Sequence, residues 1–527
     1  LVDCRLPRLD LSLFGSKCNV NSFTSKITID DNKVIFDKST FAIGPETIID
    51  VNGTVTDFKT DPSFIFAVKM KELSIYKDPV DNCFAYGSRI FESFIPLLQV
   101  FFDNFQPQGR LGLDVVLTGK ISQISKTRCI GFLDCQDIAI QFYLFPYIVE
   151  HLRGRIDVTE TSMRMKNVRA SHGNVDIEMN GYCNGFGPAM DSNIVLTSNN
   201  MLLDNDLYSA LTANHKKLWY LFSPSGVVAG DFIYAAQPPG KRIFRINANL
   251  LDVAIMCHYF PYPVSGITGK VAVDGDVIQL NDVMSRQGEG IIQMNGSITD
   301  ANTPEPRYNF NIKAKNIAFD NKLISALPAD QRKFFSSFTI KAYGDADIYV
   351  HSTEDTARPI DYLAHLNIFG DSITAPKLPQ PLTNIVIDTN LTPEALIIKK
   401  FTADYNSSRV SAEGTIWTGT ESLPMGYCLS FNVDKAAIEP NVVKALLNEN
   451  SARIVEDFKF IGDVNISAVA GRNSRVKCPD YEITIQCLNN SAYLKKFDLP
   501  LEKIAGKITV YPREIDFNSL SAVPVVD

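Results

Sequence analysis

Apolar and polar residues alternate along much of this chain, in runs such as FRINANLLDV, YNFNIKAKNIAF, DADIYVHS and YEITIQCL. Period-two alternation gives an extended strand one oily and one wet face, so these runs predict β-strands with one side turned from water. Reversal signals sit between strands: Asp-Asp-Asn in ITIDDNKVIF, Asp-Gly in VAVDGDVIQL and Thr-Pro-Glu in TNLTPEALII supply hairpin-turn chemistry. Antiparallel meanders are the expectation. The period switches to helical spacing in DNDLYSALTANHKKLWYLF (204–222), DNKLISALPADQRKFFSSF (320–338) and EPNVVKALLNENSARIVEDF (439–458). SRIFESFIPLLQVFFDNF (88–105) holds the same place nearer the N-terminus, with Pro96 inside it. Leu207, Ala210, Leu211 and Leu218 recur at helical intervals, as do Leu323, Ala326 and Leu327, which predicts one short helix per segment. Asp204, Asp320 and Glu439 precede or open these helices, where a carboxylate can accept from free amides of the first turn.

The pattern also repeats. ETIIDVNGTV (46–55), GNVDIEMNGY (173–182), GEGIIQMNGSI (288–298) and SSRVSAEGTIW (407–417) each contain an Asn-Gly or Glu-Gly step and read as strand, turn, strand. Their glycines, Gly53, Gly181, Gly296 and Gly414, lie 128, 115 and 118 residues apart. A second marker, FPYIVEHLRGRIDV, FPYPVSGITGKVAV, LPQPLTNIVIDT and FDLPLEKIAGKITV, starts at Phe145, Phe260, Leu378 and Phe497, with spacings of 115, 118 and 119. Two markers in constant phase define a unit of about 115 to 120 residues. The reading is a partial closing half at 1–53, units at 54–181, 182–296 and 297–414, and a partial unit at 415–527. With no Met at Leu1 and the last unit stopping before its closing glycine strand, the chain reads as a piece of a longer protein.

Composition narrows the classes. Charged residues make up 21%, intermixed in sign with a net of -8, so the basic face that nucleic acid requires is missing. No apolar run reaches the ~18 to 20 residues of a membrane-spanning helix. The six histidines fall in no His-Glu-x-x-His pattern, and phosphate loops and nucleophile elbows are missing, so neither a metal, a cofactor nor catalysis is expected. Ten cysteines form no CxxC pair. They read as thiols, while Cys129 with Cys135 and Cys478 with Cys487 are close enough in sequence to form small disulfide loops in an oxidising compartment.

The order of strand pair, short helix, strands, an F-P or L-P step, hairpin, and a strand with N-G or E-G resembles the AsmA-like family, large bacterial envelope proteins related to TamB and YhdP. The likeness is clearest over 134–527. It implies a mainly β fold: an elongated antiparallel repeating β-groove, a curled and twisted sheet with about one short helix per repeat. It further implies a periplasmic, inner-membrane-anchored envelope protein, not an enzyme, that carries phospholipid or another acyl-chain lipid between membranes or supports outer-membrane assembly. Membranes, reached through parts of the parent protein not present here, and envelope proteins would be its partners.

Alternation selects the residues expected to line such a groove: Ile27 and Ile29, Ile156 and Val158, Val271 and Val273, Ile385 and Ile387, Ile508 and Val510. At ~4.8 Å per strand, about six strands in each of four units would extend roughly 115 Å. The same residues fit a different class of protein, a structural or adhesive β-repeat rod whose apolar faces are filled by its own side chains.

Overall fold

The computed structural model describes residues 2–6, 9–13, 16–43, 47–75, 104–185, 189–327, 329–355, 358–376, 378–419, 423–437, 459–494 and 498–525. The fold is mainly β and antiparallel. Two compact units divide the chain: Leu1–Trp219 with Pro224–Val253 and Lys270–Ile278, and Tyr220–Ser223 with Ala254–Gly269 and Gln279–Asp527.

In the first unit each strand from Ser16–Asp30 onward pairs with the next, as a meander requires. Ser16–Asp30 pairs Lys33–Ile43 around the Asp31–Asn32 turn, and the ladder proceeds through Thr47–Thr56, Ser63–Ile75, Gln108–Lys120 and Arg128–Phe142. It continues through Phe145–Thr159, Ser162–His172, Val175–Asn184, Asp191–Leu203 and Ser225–Gln237. Val2–Leu6 and Leu9–Leu13 both pair with Ser16–Asp30. The second unit runs likewise from Gly290–Thr299 through Arg307–Ala318, Thr339–Ser352, Ile360–Thr374, Leu382–Leu391 and Ala395–Tyr405. Ser408–Trp417, Gly426–Ala437, Asp463–Arg472, Tyr481–Leu494, Leu499–Val510 and Ile515–Pro524 complete it.

The repeated Asn-Gly and Glu-Gly steps are not turns. Thr47–Thr56, Val175–Asn184, Gly290–Thr299 and Ser408–Trp417 are strands of 10 residues, and Gly53, Gly181, Gly296 and Gly414 each occupy the same interior place in them. A Cβ at these glycines would run into the carbonyl oxygen of Ile65, Asn193, Asn309 and Cys428, so the following strand passes where only hydrogen fits. The preceding Asn has its own task. Asn52, Asn180 and Asn295 accept through Oδ1 from the backbone N–H of Lys38, Asn167 and Asp282, each at 2.7 Å. Those three donors have φ of 52°, 53° and 52°. Lys38 and Asn167 sit where the register shifts, so the Asn side chain satisfies an amide that the ladder leaves without a carbonyl. Asn316 on Asp345 and Lys435 on Asn465 reproduce the clamp elsewhere.

The helical inserts differ from expectation in one respect. Each of the two described ones is a pair of short helices, Asn205–Ala210 with Ala213–Phe222 and Asn321–Ala326 with Ala329–Phe335. The predicted continuous apolar stripe is broken at Leu211 and Leu327, whose backbones are extended. Asp204 accepts from the amides of Asp206 and Leu207 at 3.1 and 3.0 Å, and Asp320 from those of Lys322 and Leu323 at 2.9 and 3.0 Å. These acidic caps match the sequence reading. The segment 439–458 lies outside the described residues, as does most of 88–105.

Replacing Gly181 by Ala should therefore destabilise the chain by about 2 to 4 kcal/mol, because both φ of +145° and the Asn193 carbonyl oppose it. Gly275→Ala, in an open turn, should cost about 1 kcal/mol. Urea-unfolding midpoints check this; equal shifts for the two variants would contradict the mid-strand reading.

Candidate functional site

Strand register converts the alternation into continuous cross-strand rows. In the first unit one row runs through the opposed pairs Phe41–Ile49, Ile49–Met70, Met70–Leu113, Leu113–Leu133, Leu133–Ile156 and Ile156–Met165. Its neighbour runs Val51, Val68, Val115, Gly131, Val158, Met163. Ile27 stands opposite Phe36 and Ile29 opposite Val34. The intervening residues form the other face, where Lys69 and Asp114 pair at 3.3 Å and Arg155 and Asp157 at 2.7 Å.

The second unit repeats the separation. Gly344, Ile368, Ile387, Phe401, Ala412, Phe431, Ala468, Ile483, Val510 and Ile515 follow one another as registered partners. Ile385 and Ile508 fall in the adjoining row with Ala403, Val410, Val433, Ile466, Ile485 and Phe517. From Thr339–Ser352 to Ile515–Pro524 these central rows contain no charged side chain, while the other face carries Asp345, Asp347, His365, Asp388, Asp404 and Arg409. On that face the Asn384 amide and then Arg409 hold the Asp404 carboxyl below the usual carboxylate range.

Burial separates the units. Ile156 and Val158 are 3% and 2% exposed and belong to one cluster of buried residues extending from Ile49 to Met179 and closed by Ala210 of the helix. Half-exposed Phe105, Ile124 and Leu207 pack against it. Burial pushes the Cys129 thiol up to about 11 and the Cys135 thiol to about 12. In the second unit Ile385 is sealed at 2%, but Ile387, Ile508 and Val510 are only half-buried, Phe431 is 38% exposed and Phe517 60%. Residue size accounts for part of the difference: the first unit offers Met70, Leu113, Leu133, Met163 and Met165, the second Ala342, Gly344, Ala346, Gly370, Ala403, Ala412, Ala468 and Ala470. Val271, Val273 and Ile27 are half-buried and Ile29 is 60% exposed.

The structure thus places Ile387 with Val510 and Ile385 with Ile508 in shared rows, and joins Ile156 and Val158 in one core. Sequence reading missed Phe401, which faces Ile387, and Phe431, which lies further along the same row between Ala412 and Ala468. Alternation marks both as face residues, but only strand register shows which residues they meet.

Two other groupings bear on chemistry. Cys428 and Cys478 form a disulfide, so Cys478 is not paired with Cys487, and Cys129 and Cys135 are free and buried. Both expected loops are corrected: Cys428 lies near the start of Gly426–Ala437, opposite Gly471, and Cys478 lies beside Gly471, whereas Cys487 faces inward, buried beside Ile504. His172, Asp204 and Asp206 bring one ligand atom each within 4.8 Å of one another, a spacing that could hold a cation. Their mutual bonds already account for them: His172 Nδ1 is 2.8 Å from the Ile148 carbonyl, its Nε2 is 3.2 Å from Asp206, and Asp204 caps the helix. Burial, with Asp204 and Asp206 nearby, lifts the Tyr147 hydroxyl to about 12.

Comparison with protein families, curated proteins and solved structures gives no match.

Aspartate at Val158 would leave an uncompensated charge in a packed core and should cost about 3 to 5 kcal/mol. At half-buried Ile387 the charge keeps access to water, so the loss should be under about 2 kcal/mol. Thermal unfolding of the two variants checks the order; a reversed order would mean the units are packed alike. Cys129 and Cys135 should also resist thiol reagents at pH 8 in the folded chain and react on unfolding, since thiolate is the nucleophile and burial disfavours it. Alkylation followed by peptide mapping reads this out.

Proposed function

We propose that the chain is part of an AsmA-like envelope protein of the bacterial periplasm, anchored in the inner membrane through parts of the parent protein, and that its apolar face is the floor of a groove carrying phospholipid. The observation that carries this reading is the second unit's apolar face, whose central rows are free of charge and whose side chains are half-covered at most positions. A soluble chain that keeps contiguous apolar surface in contact with water has a use for it. An acyl chain offers no hydrogen-bonding group and gains about 0.8 kcal/mol per buried methylene, so ten methylenes would supply roughly 8 kcal/mol before ordering costs. Rows of similar residues give similar binding from one strand to the next, which movement along a track requires. The Cys428–Cys478 bridge supports an oxidising compartment. No catalytic step is assigned.

A structural β-repeat rod is the second reading, favoured by the first unit's cluster from Ile49 to Met179, where the face is buried. Lipid extraction separates the two. The chain, secreted to the periplasm of a Gram-negative bacterium, purified and extracted for mass spectrometry, should yield phospholipid in amounts comparable to protein. A folded preparation free of phospholipid would leave the rod.

A further inference from the structure

The contrast between the two units locates the cargo more narrowly than a uniform track would, on the condition that the lipid reading of the face holds. Across the first unit's buried cluster, from Ile49 to Met179, the face has no room to give. Met70, Val115 and Val158 are at most 2% exposed, so an acyl chain could enter only by displacing packed side chains. In the second unit the strands Gly426–Ala437 and Asp463–Arg472 present opposed pairs that still meet water: Leu429 with Ala470, Phe431 with Ala468 and Val433 with Ile466. At the end of this series Tyr427 stands opposite Arg472, an exposed cation at a position of apolar-face parity. From Arg472 to Val464 the strand extends about 27 Å at ~3.4 Å per residue, and one bilayer leaflet's hydrocarbon is about 15 Å deep. A cation at the mouth of an uncharged stripe longer than an acyl chain matches one amphiphile: an anionic head group joined to an unbranched apolar tail.

We propose that a phospholipid sits on the second unit with its phosphate at Arg472 and its acyl chains over Leu429, Phe431, Ala468 and Ala470, and that the first unit's sealed cluster from Ile49 to Met179 holds none. The test uses the 527-residue chain with a photoreactive benzoylphenylalanine replacing Phe431 in one preparation and Val158 in another, each confirmed as folded by thermal unfolding. The probes are phosphatidylglycerol and diacylglycerol of the same acyl composition. Phosphatidylglycerol should cross-link at position 431 at least tenfold more than at 158. Arg472→Glu should lower the phosphatidylglycerol adduct at 431 about tenfold and leave the diacylglycerol adduct unchanged, with Arg472→Lys retaining most of it. Equal adducts at 158 and 431 would overturn confinement to the second unit while leaving the lipid reading intact. An adduct indifferent to Arg472→Glu would overturn the phosphate seat. Adducts at neither position, with either probe, would overturn the lipid reading itself.

Discussion

Register is the constraint on which the rest of this structure depends. Side chains alternate across a strand with a period of two, so a slip of one residue would exchange the apolar face for the polar one along an entire strand. Long strands accumulate twist and need bulges to accommodate it, and each bulge threatens that parity. Here Asn52 and Asn180 hold the amides at such points, Asn295 makes the same bond to Asp282, and the neighbouring glycines let the next strand close on the sheet. The Asn-Gly step shared by three of the repeats therefore keeps the apolar rows in line. In the fourth copy Glu413 replaces the Asn, and Phe401 still meets Ala412 across a register shift.

With parity secured, side-chain volume sets the character of each unit. Met and Leu side chains in the first unit meet one another and exclude water, and the helix Asn205–Ala210 contributes Ala210 to the same core. Alanines and glycines in the second unit leave larger neighbours partly uncovered. Identical topology thus supports a packed interior in one place and an accessible apolar surface in another. The surface ion pairs, such as Lys69 with Asp114, are exposed on the opposite face and contribute little to stability, so cohesion comes from the ladder and the apolar side chains.

The functional reading follows from that division of labour. A sealed section gives the chain a stable folded anchor, and an open section offers surface for a ligand without hydrogen-bonding needs. Arg472 places an exposed positive charge beside a face whose central rows carry none. On the proposed reading, such a pairing would hold one end of an amphiphile while leaving the tail free to exchange neighbours.

Much of the fold was legible in the residues alone. Alternation marked the strands, Asp-Asp-Asn and Thr-Pro-Glu marked hairpins, Asp204 and Asp320 marked helix starts, and the spacing of Gly53, Gly181, Gly296 and Gly414 marked the repeat. All of these are local signals, written within a few residues or in phase along the chain. The tertiary structure decided the rest: that those glycines lie inside strands, that Leu211 and Leu327 break the helices, that Cys478 bridges to Cys428, and that Val158 is sealed where Ile387 is half-open. Each of these depends on what a neighbouring strand or a facing side chain brings from elsewhere in the chain. Alternation fixes which way a side chain points, and packing fixes what it meets.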